Sequence, residues 1–426
     1  MKTSKYNFLF PNANGSSSDA IIYNSRTGAM ATLDAEHLSL FEDFQKNGNA
    51  NLGEEFEQGL LDCGFIIDDA VNENDEIRLN MLRSRFATNV MGLVIAPTMD
   101  CNFRCTYCFE AGQIHDCHMS DEVEDAIVEF VSSRANSLEV LDVTWFGGEP
   151  LMAIERIESL SRRLIDICRS RNIKYSSSII TNGYYLIPDI AKRLKACGVK
   201  YSQVTLDGKK ETHDKRRFLE SGEGSFDMIM QNIKLSKDIL PVVLRINVDL
   251  DNHDEAWEIL SLFKEEGLEK GMTLYLGHVV SYNDGYEESR CLSNKQYNKS
   301  DLQFMKDSGR PLMDIYPKPK GNICIADQVG GWVISPDGDM YKCFLDIGVK
   351  ERKIFSLIED SKLLPMMAEY MLSEYSEDLQ CVNCKLLPIC LGGCPSKRKQ
   401  NINSCSRFKN NLGEYLAECA EILLNE

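Results

Sequence analysis

The sequence predicts an α/β protein built around a sheet of six parallel strands. Between residues 91 and 280, apolar runs typical of strands alternate with amphipathic runs typical of helices. Alternation of this length indicates parallel strands joined by right-handed crossovers. A cysteine-rich loop follows the first strand and a glycine-rich turn follows the second. Both lie at strand ends, where such folds carry their chemistry.

The elements can be placed by their hydrophobic periods. The predicted strands are 91–96, 140–146, 176–181, 201–206, 242–249 and 272–279. The predicted helices between them are 121–134, 154–169, 187–196, 226–237 and 254–266. Several strand ends carry polar side chains, among them Thr181, Asn182, Asp207 and Asn247. We expect these side chains to meet at one edge of the sheet.

Three cysteines stand directly after the first predicted strand. Cys101, Cys105 and Cys108 have the spacing C-x3-C-x2-C. Three thiolates on one short loop can hold three corners of a [4Fe–4S] cluster and leave the fourth iron open to another molecule. Short cysteine spacings are also typical of zinc sites, so the spacing alone leaves a zinc knuckle as an alternative.

The surrounding sequence resembles the radical S-adenosylmethionine (SAM) superfamily over most of the chain. After the second strand comes Gly147-Gly148-Glu149-Pro150, where that family has a turn that contacts the amino group of SAM. The resemblance implies a partial (β/α)6 barrel, with the Cys101, Cys105 and Cys108 thiolates on the cluster. It also implies SAM contacts from Tyr107, Gly147, Gly148, Glu149, Pro150, Thr181, Asn182, Asp207 and Arg217. The carboxylate of Glu149 suits an ammonium partner, and Arg217 suits the SAM carboxylate.

A second cysteine array fills the C-terminal region, in an order that resembles the SPASM extension of radical SAM enzymes. That extension carries two auxiliary [4Fe–4S] clusters. By this resemblance the first auxiliary cluster is bound by Cys324, Cys343 and Cys394, and the second by Cys381, Cys384, Cys390 and Cys405. The first set lacks a fourth ligand, for which Cys291, a substrate thiol and an open position are alternatives. A double zinc ribbon is the competing interpretation of the whole array.

The N-terminal segment predicts a small domain of its own. Two strand-like runs flank a turn at residues 24–28, and two helices and a short strand at 65–67 follow. This unit resembles the winged-helix-like domain that recognises leader peptides in enzymes that modify ribosomally made peptides. There a peptide adds as a strand to an open sheet edge; a merely structural cap is the alternative. Residues 71–75 are interpreted as a linker, which gives domains 1–75, 76–310 and 311–426.

Net charge and the lack of long apolar segments argue against some classes of function. A net charge of −18 argues against a nucleic-acid partner, because phosphate binding needs a basic surface. No secretory signal opens the sequence and no apolar run is long enough to span a membrane. We therefore expect a cytoplasmic protein, in which clustered cysteines bind metal rather than form disulfides.

Together these features predict a radical SAM/SPASM peptide maturase with SAM and three [4Fe–4S] clusters. The expected reaction removes a hydrogen from a precursor peptide and closes a thioether crosslink, with flavodoxin or ferredoxin as electron donor. The residue pattern identifies no catalytic side chain. Carbon–carbon crosslinking is one alternative, and a non-catalytic iron–sulfur electron-transfer protein is another. An anaerobic sulfatase maturase is the nearest rival, but that family has Asp after the cysteine where Phe344 follows Cys343, and the nearest carboxylate is Asp346.

Overall fold

The computed structural model describes residues 1–11, 19–48, 51–268, 271–281, 286–311, 313, 316–320, 324–359, 365–375, 378–399 and 404–425. The chain divides into two compact units. The first unit comprises Met1–Phe86, Gly309–Cys324 and Leu372–Glu426, and the second comprises Ala87–Ser308 and Ile325–Met371. The three-domain division made from the sequence stays a prediction.

The first unit opens with two small antiparallel sheets. Its strands, β1 (Lys2–Thr3), β2 (Asn7–Pro11), β3 (Ala20–Asn24), β4 (Met30–Leu33) and β5 (Ile66–Ile67), pair as β2-β3-β4 and as β1-β5. The β3–β4 hairpin confirms the turn predicted at residues 24–28. Helices α1 (Ala35–Asn47) and α2 (Glu54–Asp62) pack apolar side chains against strands of both sheets. The Asp34 carboxylate begins α1 by accepting a hydrogen bond from His37 N at 2.9 Å.

The predicted linker at residues 71–75 is wrong for its second half, because helix α3 (Glu73–Arg85) already begins there. Asn72 caps this helix, and acidic residues fill its first turn, where the helix dipole favours negative charge. Glu73 is only 6% exposed, and its carboxylate accepts a hydrogen bond from Lys5 N at 2.9 Å and pairs with Arg26 at 3.0 Å. A polar run that resembles a linker by composition is therefore a capped helix start fixed to the first unit.

The second unit contains a nine-stranded sheet in the order β11-β10-β9-β8-β7-β6-β12-β13-β14. The first six strands in sequence are β6 (Val90–Ile95), β7 (Val140–Trp145), β8 (Lys174–Thr181), β9 (Val199–Thr205), β10 (Val242–Val248) and β11 (Thr273–His278). All neighbouring pairs among these six are parallel, which confirms the predicted parallel sheet. The remaining strands are β12 (Gly331–Ile334), β13 (Asp339–Tyr341) and β14 (Phe355–Ser356), of which β12 lies parallel to β6.

Helices alternate with the first six strands of this sheet and follow them. They are α4 (Asp121–Ser132), α5 (Ile154–Arg171), α6 (Pro188–Ala196), α7 (Lys210–Arg216), α8 (Phe226–Ser236), α9 (Glu255–Glu265), α10 (Asn294–Asp307) and α11 (Pro365–Leu372). Strand residues such as Leu93 and Val143 and helix residues such as Ile127 and Leu160 are fully buried in one core. This shared core is what makes the near-continuous apolar strands stable as parallel neighbours.

The C-terminal part of the chain returns to the first unit as short helices. These are α12 (Leu379–Val382), α13 (Leu387–Cys390), α14 (Pro395–Lys399) and the longer α15 (Leu412–Asn425). Tyr375 and Leu387 pack here with Tyr6, Ile77 and Met81, so the two ends of the chain share one apolar cluster. Among the described residues, every helix is too short or too polar to cross a lipid bilayer.

Candidate functional site

The three cysteines of the C-x3-C-x2-C motif lie together on the loop after β6. Cys101 is buried, and Cys105 and Cys108 are half-buried. Burial raises the pKa of all three thiols, that of Cys108 to about 12, and the Cys105 and Cys108 sulfurs raise the pKa of Cys101 further. Without a metal these groups stay protonated, so iron binding would release protons.

The turn Gly147-Gly148-Glu149 holds one side of the cysteine loop. Gly148 N donates to Thr98 O at 3.3 Å, and Glu149 N donates to Asp100 O at 2.8 Å. A Cβ on Gly148 would lie 2.7 Å from Met99 O and closer still to Asp100 O, while Gly147 has a φ of 111°. The glycines are therefore required by the close approach of two backbone segments, immediately before Cys101.

A second backbone segment, residues 216–220, holds the other side of the loop. Arg104 N donates to Phe218 O and Thr106 N donates to Arg216 O, both at 2.9 Å. Glu220 N donates to Asn102 O at 2.9 Å. Hydrogen bonds on both sides leave the cysteine loop little freedom to move, which fixes the directions of its sulfur atoms.

Glu149 joins the ends of β7 and β8. Its carboxylate is fully buried; Oε1 accepts from Leu151 N at 3.0 Å and from the Thr181 hydroxyl at 2.7 Å, and Oε2 accepts from Asn182 N at 2.8 Å. Burial raises the pKa of Glu149, and these three donors oppose that rise. Pro150 begins a short 3-10 helix that Glu149 caps. The carboxylate thus orients Thr181 and Asn182, and only part of its acceptor capacity is left for an ammonium group.

A buried hydrogen-bond network surrounds Tyr107. The Tyr107 hydroxyl donates to Asp207 and accepts from Arg217 Nη1 and Asn247 Nδ2, each at 3.0 Å. The structure therefore brings together Tyr107, Asp207 and Arg217, which are far apart in sequence. Burial raises the pKa of Tyr107, so its hydroxyl keeps the proton that it donates.

Neighbouring residues extend this network. Arg216 Nη1 donates to Asp249 at 2.7 Å, and the Tyr286 hydroxyl also donates to Asp249. Asp249 directly follows β10, so its strand-end position was the available signal; nothing in the sequence pointed to Tyr286. His213 accepts from Asp207 N at 3.1 Å, and burial holds its pKa well below the ordinary value, so a neutral imidazole fixes the strand end.

Five buried side-chain atoms around this loop and network have no hydrogen-bond partner in the described part of the chain. They are Asn102 Nδ2, Glu110 Oε1, Asp207 Oδ1, Arg216 Nη2 and Arg217 Nε. Buried polar atoms rarely stay unpaired, because each costs about 1–3 kcal/mol. Their concentration beside three cysteines is the pattern expected where a polar ligand completes the site.

Four C-terminal cysteines line a cavity of about 670 Å³ in the first unit: Cys381, Cys384, Cys390 and Cys405. Burial raises the pKa of Cys381 to about 11, and Asp378, Cys390 and Cys405 raise it further, so these groups lie near one another. Gly393 allows the segment with Cys405 to pack closely, because a Cβ on residue 393 would overlap the backbone oxygen of Ser404. The structure thus gathers all four members of the second predicted auxiliary set.

The first predicted auxiliary set is divided between the two units. Cys324 is exposed and Cys394 half-buried in the first unit, and Cys343 is buried in the second. Cys291 is half-buried, with its thiol 3.8 Å from Glu287 O. The membership of this set and the identity of its fourth ligand stay predictions.

The residue after Cys343 is part of an aromatic group. The centroid of the Phe344 ring lies 5.6 Å from that of Phe146 and 6.0 Å from that of Phe109, and the Phe344 side chain is 40% exposed. Asp346, the nearest carboxylate, is 1% exposed and accepts hydrogen bonds from Arg352 at 2.6 Å and from the Tyr370 hydroxyl at 2.7 Å. An exposed phenyl ring therefore lies directly after Cys343. The next carboxylate in the sequence, that of Asp346, is buried and bound by Arg352 and Tyr370.

Comparison with known proteins matches residues 95–282 to the model of the Radical SAM superfamily. The chain carries a radical SAM domain. The match runs from the last residue of β6 to just beyond β11, and it includes the cysteine loop, the Gly147-Gly148 turn and Tyr107 with Asp207 and Arg217. The protein is accordingly an enzyme with a radical SAM domain.

Similar proteins extend beyond the radical SAM domain. A cysteine-type anaerobic sulfatase-maturating enzyme of Clostridium novyi (strain NT) is 29% identical over 369 residues, which cover 75% of this chain and 94% of that protein. The structure of native anSMEcpe with bound AdoMet has a TM-score of 0.61 at 19% identity, covering 78% of this chain and all of that one. Streptococcus suis SuiB bound to precursor peptide SuiA has a TM-score of 0.54 at 15% identity, covering 96% of this chain and 99% of that one.

A radical SAM domain uses SAM and a [4Fe–4S] cluster, and the residues present fit both. Three adjacent cysteine sulfurs match the donor set of a cluster with one open iron. The unpaired Arg217 Nε and Arg216 Nη2 suit a carboxylate, and the unpaired Asp207 and Glu110 oxygens suit hydroxyl or ammonium donors.

Proposed function

We propose that this radical SAM enzyme modifies a ribosomally made precursor peptide by closing a thioether between a cysteine sulfur and a carbon atom. The carrying observation is the set of small sheets and helices in residues 1–86, which belong to the first unit and precede the radical SAM domain in the sequence. The fold likeness to SuiB, which was solved with a precursor peptide, extends over 96% of the chain. It supports the proposal that the N-terminal part binds such a peptide and the radical SAM domain modifies it.

The residues of the cysteine loop and of the Tyr107 network have defined roles in this proposal. Cys101, Cys105 and Cys108 hold the cluster, while Arg217 and Asp207 orient the polar groups of SAM. When bound, these cofactors supply a 5′-deoxyadenosyl radical that removes a hydrogen atom from the peptide. The Tyr107 hydroxyl keeps the Arg217 guanidinium in place by accepting its hydrogen bond, and Asn247 donates to the same hydroxyl. Glu149 keeps Thr181 and Asn182 in place.

Thioether closure also needs a one-electron acceptor. Forming the C–S bond breaks one C–H and one S–H bond; the hydrogen atom leaves with the adenosyl group, the sulfur loses a proton, and one electron remains. An auxiliary [4Fe–4S] cluster in the cavity of Cys381, Cys384, Cys390 and Cys405 is the proposed acceptor. The gathering of four thiols around one cavity supports this role.

Sulfatase maturation is the second candidate, favoured by the 29% identity to the Clostridium novyi enzyme along 94% of its length. That chemistry uses an Asp after the cysteine that ends the first SPASM motif, as a proton acceptor. Here Phe344 occupies the position, and Asp346 is buried between Arg352 and Tyr370. A carboxylate held in an ion pair has a poor geometry for taking a proton from a substrate, so these contacts support the crosslinking proposal.

The leader peptide is proposed to add along strand β4. At one side β4 pairs with β3, and among the described residues no strand pairs with its other side. Edge strands are usually blunted with Pro or charge. The opposite edge strand β2 ends in Pro11, but β4 reads Met30-Ala31-Thr32-Leu33, with neither. An unblunted edge of this kind can take a further strand through backbone hydrogen bonds.

Replacing Thr32 with Lys tests this edge. Thr32 is exposed on β4, so the change leaves the core intact while placing a charge where the peptide strand would lie. We expect leader-peptide affinity, measured by fluorescence anisotropy, to fall about tenfold or more, and SAM cleavage to be unchanged. Thr32→Val is the matched control, because it keeps the β-branched shape without charge. Equal affinity of Thr32→Lys and wild type would reject β4 as the docking strand.

Replacing the substrate cysteine tests the reaction itself. With a cysteine-containing precursor peptide encoded beside the enzyme's gene, the peptide with Cys changed to Ala should yield no crosslink, because the attacking sulfur is gone. Formation of 5′-deoxyadenosine should continue, since SAM cleavage does not need that sulfur; chromatography measures it. A two-hydrogen loss that persists in the Ala peptide would show that a bond other than a thioether is made.

A further inference from the structure

A half-buried guanidinium lies on one face of the large sheet without an acidic partner. Arg245 stands in the middle of β10, between Leu244 and Ile246, which are fully buried in the main core of the second unit. Because side chains alternate along a strand, Arg245 points to the opposite face of the sheet. Among the residues that the structure describes, no carboxylate forms an ion pair with Arg245, whereas Arg216 pairs with Asp249 at 2.7 Å.

The guanidinium is nevertheless held in a defined direction. Its Nε donates to Asn247 Oδ1 at 2.7 Å. Gly277, which lies beside Asn247 on the neighbouring strand β11, leaves the space for this contact, because a Cβ on residue 277 would overlap both atoms. With Nε engaged, the side chain presents its Nη1 and Nη2 donors, and a guanidinium fork of this kind matches the two oxygens of a carboxylate.

Polar side chains on the neighbouring strands continue this surface. Tyr275 of β11 lies opposite Arg245 in register, and its hydroxyl donates to Gln203 Oε1 on β9 at 2.8 Å. Burial raises the pKa of Tyr275, and the Arg245 guanidinium opposes that rise, so the two groups are close neighbours. Tyr201, two residues before Gln203, is 42% exposed. Tyrosine and arginine are enriched where proteins bind other polypeptides, so this composition suits a peptide segment.

The surface adjoins the Tyr107 network. Asn247 accepts from Arg245 Nε and donates through Nδ2 to the Tyr107 hydroxyl at 3.0 Å. Tyr107 stands between Cys105 and Cys108 on the cysteine loop, so a single amide group connects the Arg245 guanidinium with that loop. A molecule bound by Arg245 would therefore lie near the site where the cofactors act.

We propose that Arg245 is a substrate-binding residue that pairs with a carboxylate of the precursor peptide. The inference rests on the proposed function and deepens it, because it requires an acidic side chain or the C-terminal carboxylate near the modified residue of the peptide. The SAM carboxylate has the same chemistry, but Arg217, whose buried Nε is unpaired in the described part of the chain, suits that group. The peptide is therefore the occupant that we assign to Arg245.

The first test is steady-state kinetics of Arg245→Gln with the precursor peptide encoded beside the enzyme's gene. We expect the KM for the peptide to rise about tenfold or more, because a hydrogen bond between charged groups is lost. The kcat and the Kd for SAM should be unchanged. Arg245→Lys should give an intermediate KM, because it keeps the charge but loses the fork. Arg162→Gln is the matched control: Arg162 is exposed on α5 of the same unit, so the KM should equal that of wild type.

The second test locates the carboxylate on the peptide. Each Asp and Glu of the peptide is changed in turn to Asn or Gln, and the C terminus is amidated in a further peptide. With the wild-type enzyme, one of these peptides should show the same rise in KM that Arg245→Gln causes. With Arg245→Gln, that peptide should show no additional rise, because both changes remove the same ion pair.

The outcomes separate the inference from the function on which it rests. A peptide that is converted to a product other than a thioether would reject the proposed function, while the KM comparison would still decide the role of Arg245. A rise in the Kd for SAM in Arg245→Gln would assign the guanidinium to the SAM carboxylate and reject the inference. A wild-type KM for Arg245→Gln would also reject it. If that variant folds poorly, as judged by its urea midpoint, the wild-type enzyme decides: equal KM values for all the amide peptides would reject the ion pair.

Discussion

Replacing Cys101, Cys105 and Cys108 together with Ala is expected to remove about four irons per chain and to abolish SAM cleavage. The three sulfurs lie on one loop that is held by backbone hydrogen bonds on both sides, and the triple change removes every thiol of that loop. Iron analysis and chromatography of 5′-deoxyadenosine measure the two losses.

Cys63→Ala is the control for this experiment. Cys63 is half-buried at the end of α2 in the first unit, outside every predicted ligand set. Its replacement should leave iron content and SAM cleavage at the wild-type level. SAM cleavage by the triple variant at more than a small fraction of the wild-type rate would contradict the assignment of the cysteine loop.

Replacing Gly148 with Ala is expected to have nearly as large an effect from a single methyl group. The added Cβ would meet backbone atoms of Met99 and Asp100, which cannot rotate away as a side chain could. Overpacking of this kind costs about 1–3 kcal/mol, and relief requires moving Asp100, the residue before Cys101. We therefore expect less iron to be bound by the cysteine loop and the rate of SAM cleavage to fall at least tenfold.

Gly112→Ala is the matched control for that change. Gly112 lies four residues after Cys108, and a Cβ there would meet nothing within 4 Å. This variant should keep wild-type iron content, SAM cleavage and urea midpoint. If Gly148→Ala behaves in the same way, the close packing of the two loops has no bearing on cluster binding.

The six parallel strands and their helices were predictable because their signal is local. The strands have apolar or β-branched stretches that end at turn residues, and each helix between them has a one-sided apolar pattern, so the predicted and observed bounds agree within a few residues. The linker failed for a different reason. Composition alone cannot distinguish a solvated polar run from a capped helix start whose Glu73 is buried by partners 47 to 69 residues away.

The candidate site was predictable only where a motif or a strand end marked it. Cysteine spacing identified the loop, and strand-end position identified Asp207 and Asn182. The resemblance gave Gly147 and Gly148 as SAM contacts, and the structure shows in addition that they let the backbone approach the cysteine loop closely. Tyr286 gave no sequence signal, because its importance depends on a tertiary neighbour, Asp249.

The mass of the precursor peptide after anaerobic reaction with SAM and the enzyme tests the central claim most directly. We predict a product lighter by two hydrogens, with one cysteine that no longer reacts with an alkylating reagent, because a C–S bond has replaced one C–H and one S–H bond. A product mass of formylglycine at the cysteine position, or an unmodified peptide despite SAM cleavage, would contradict the proposal that this radical SAM enzyme closes a thioether.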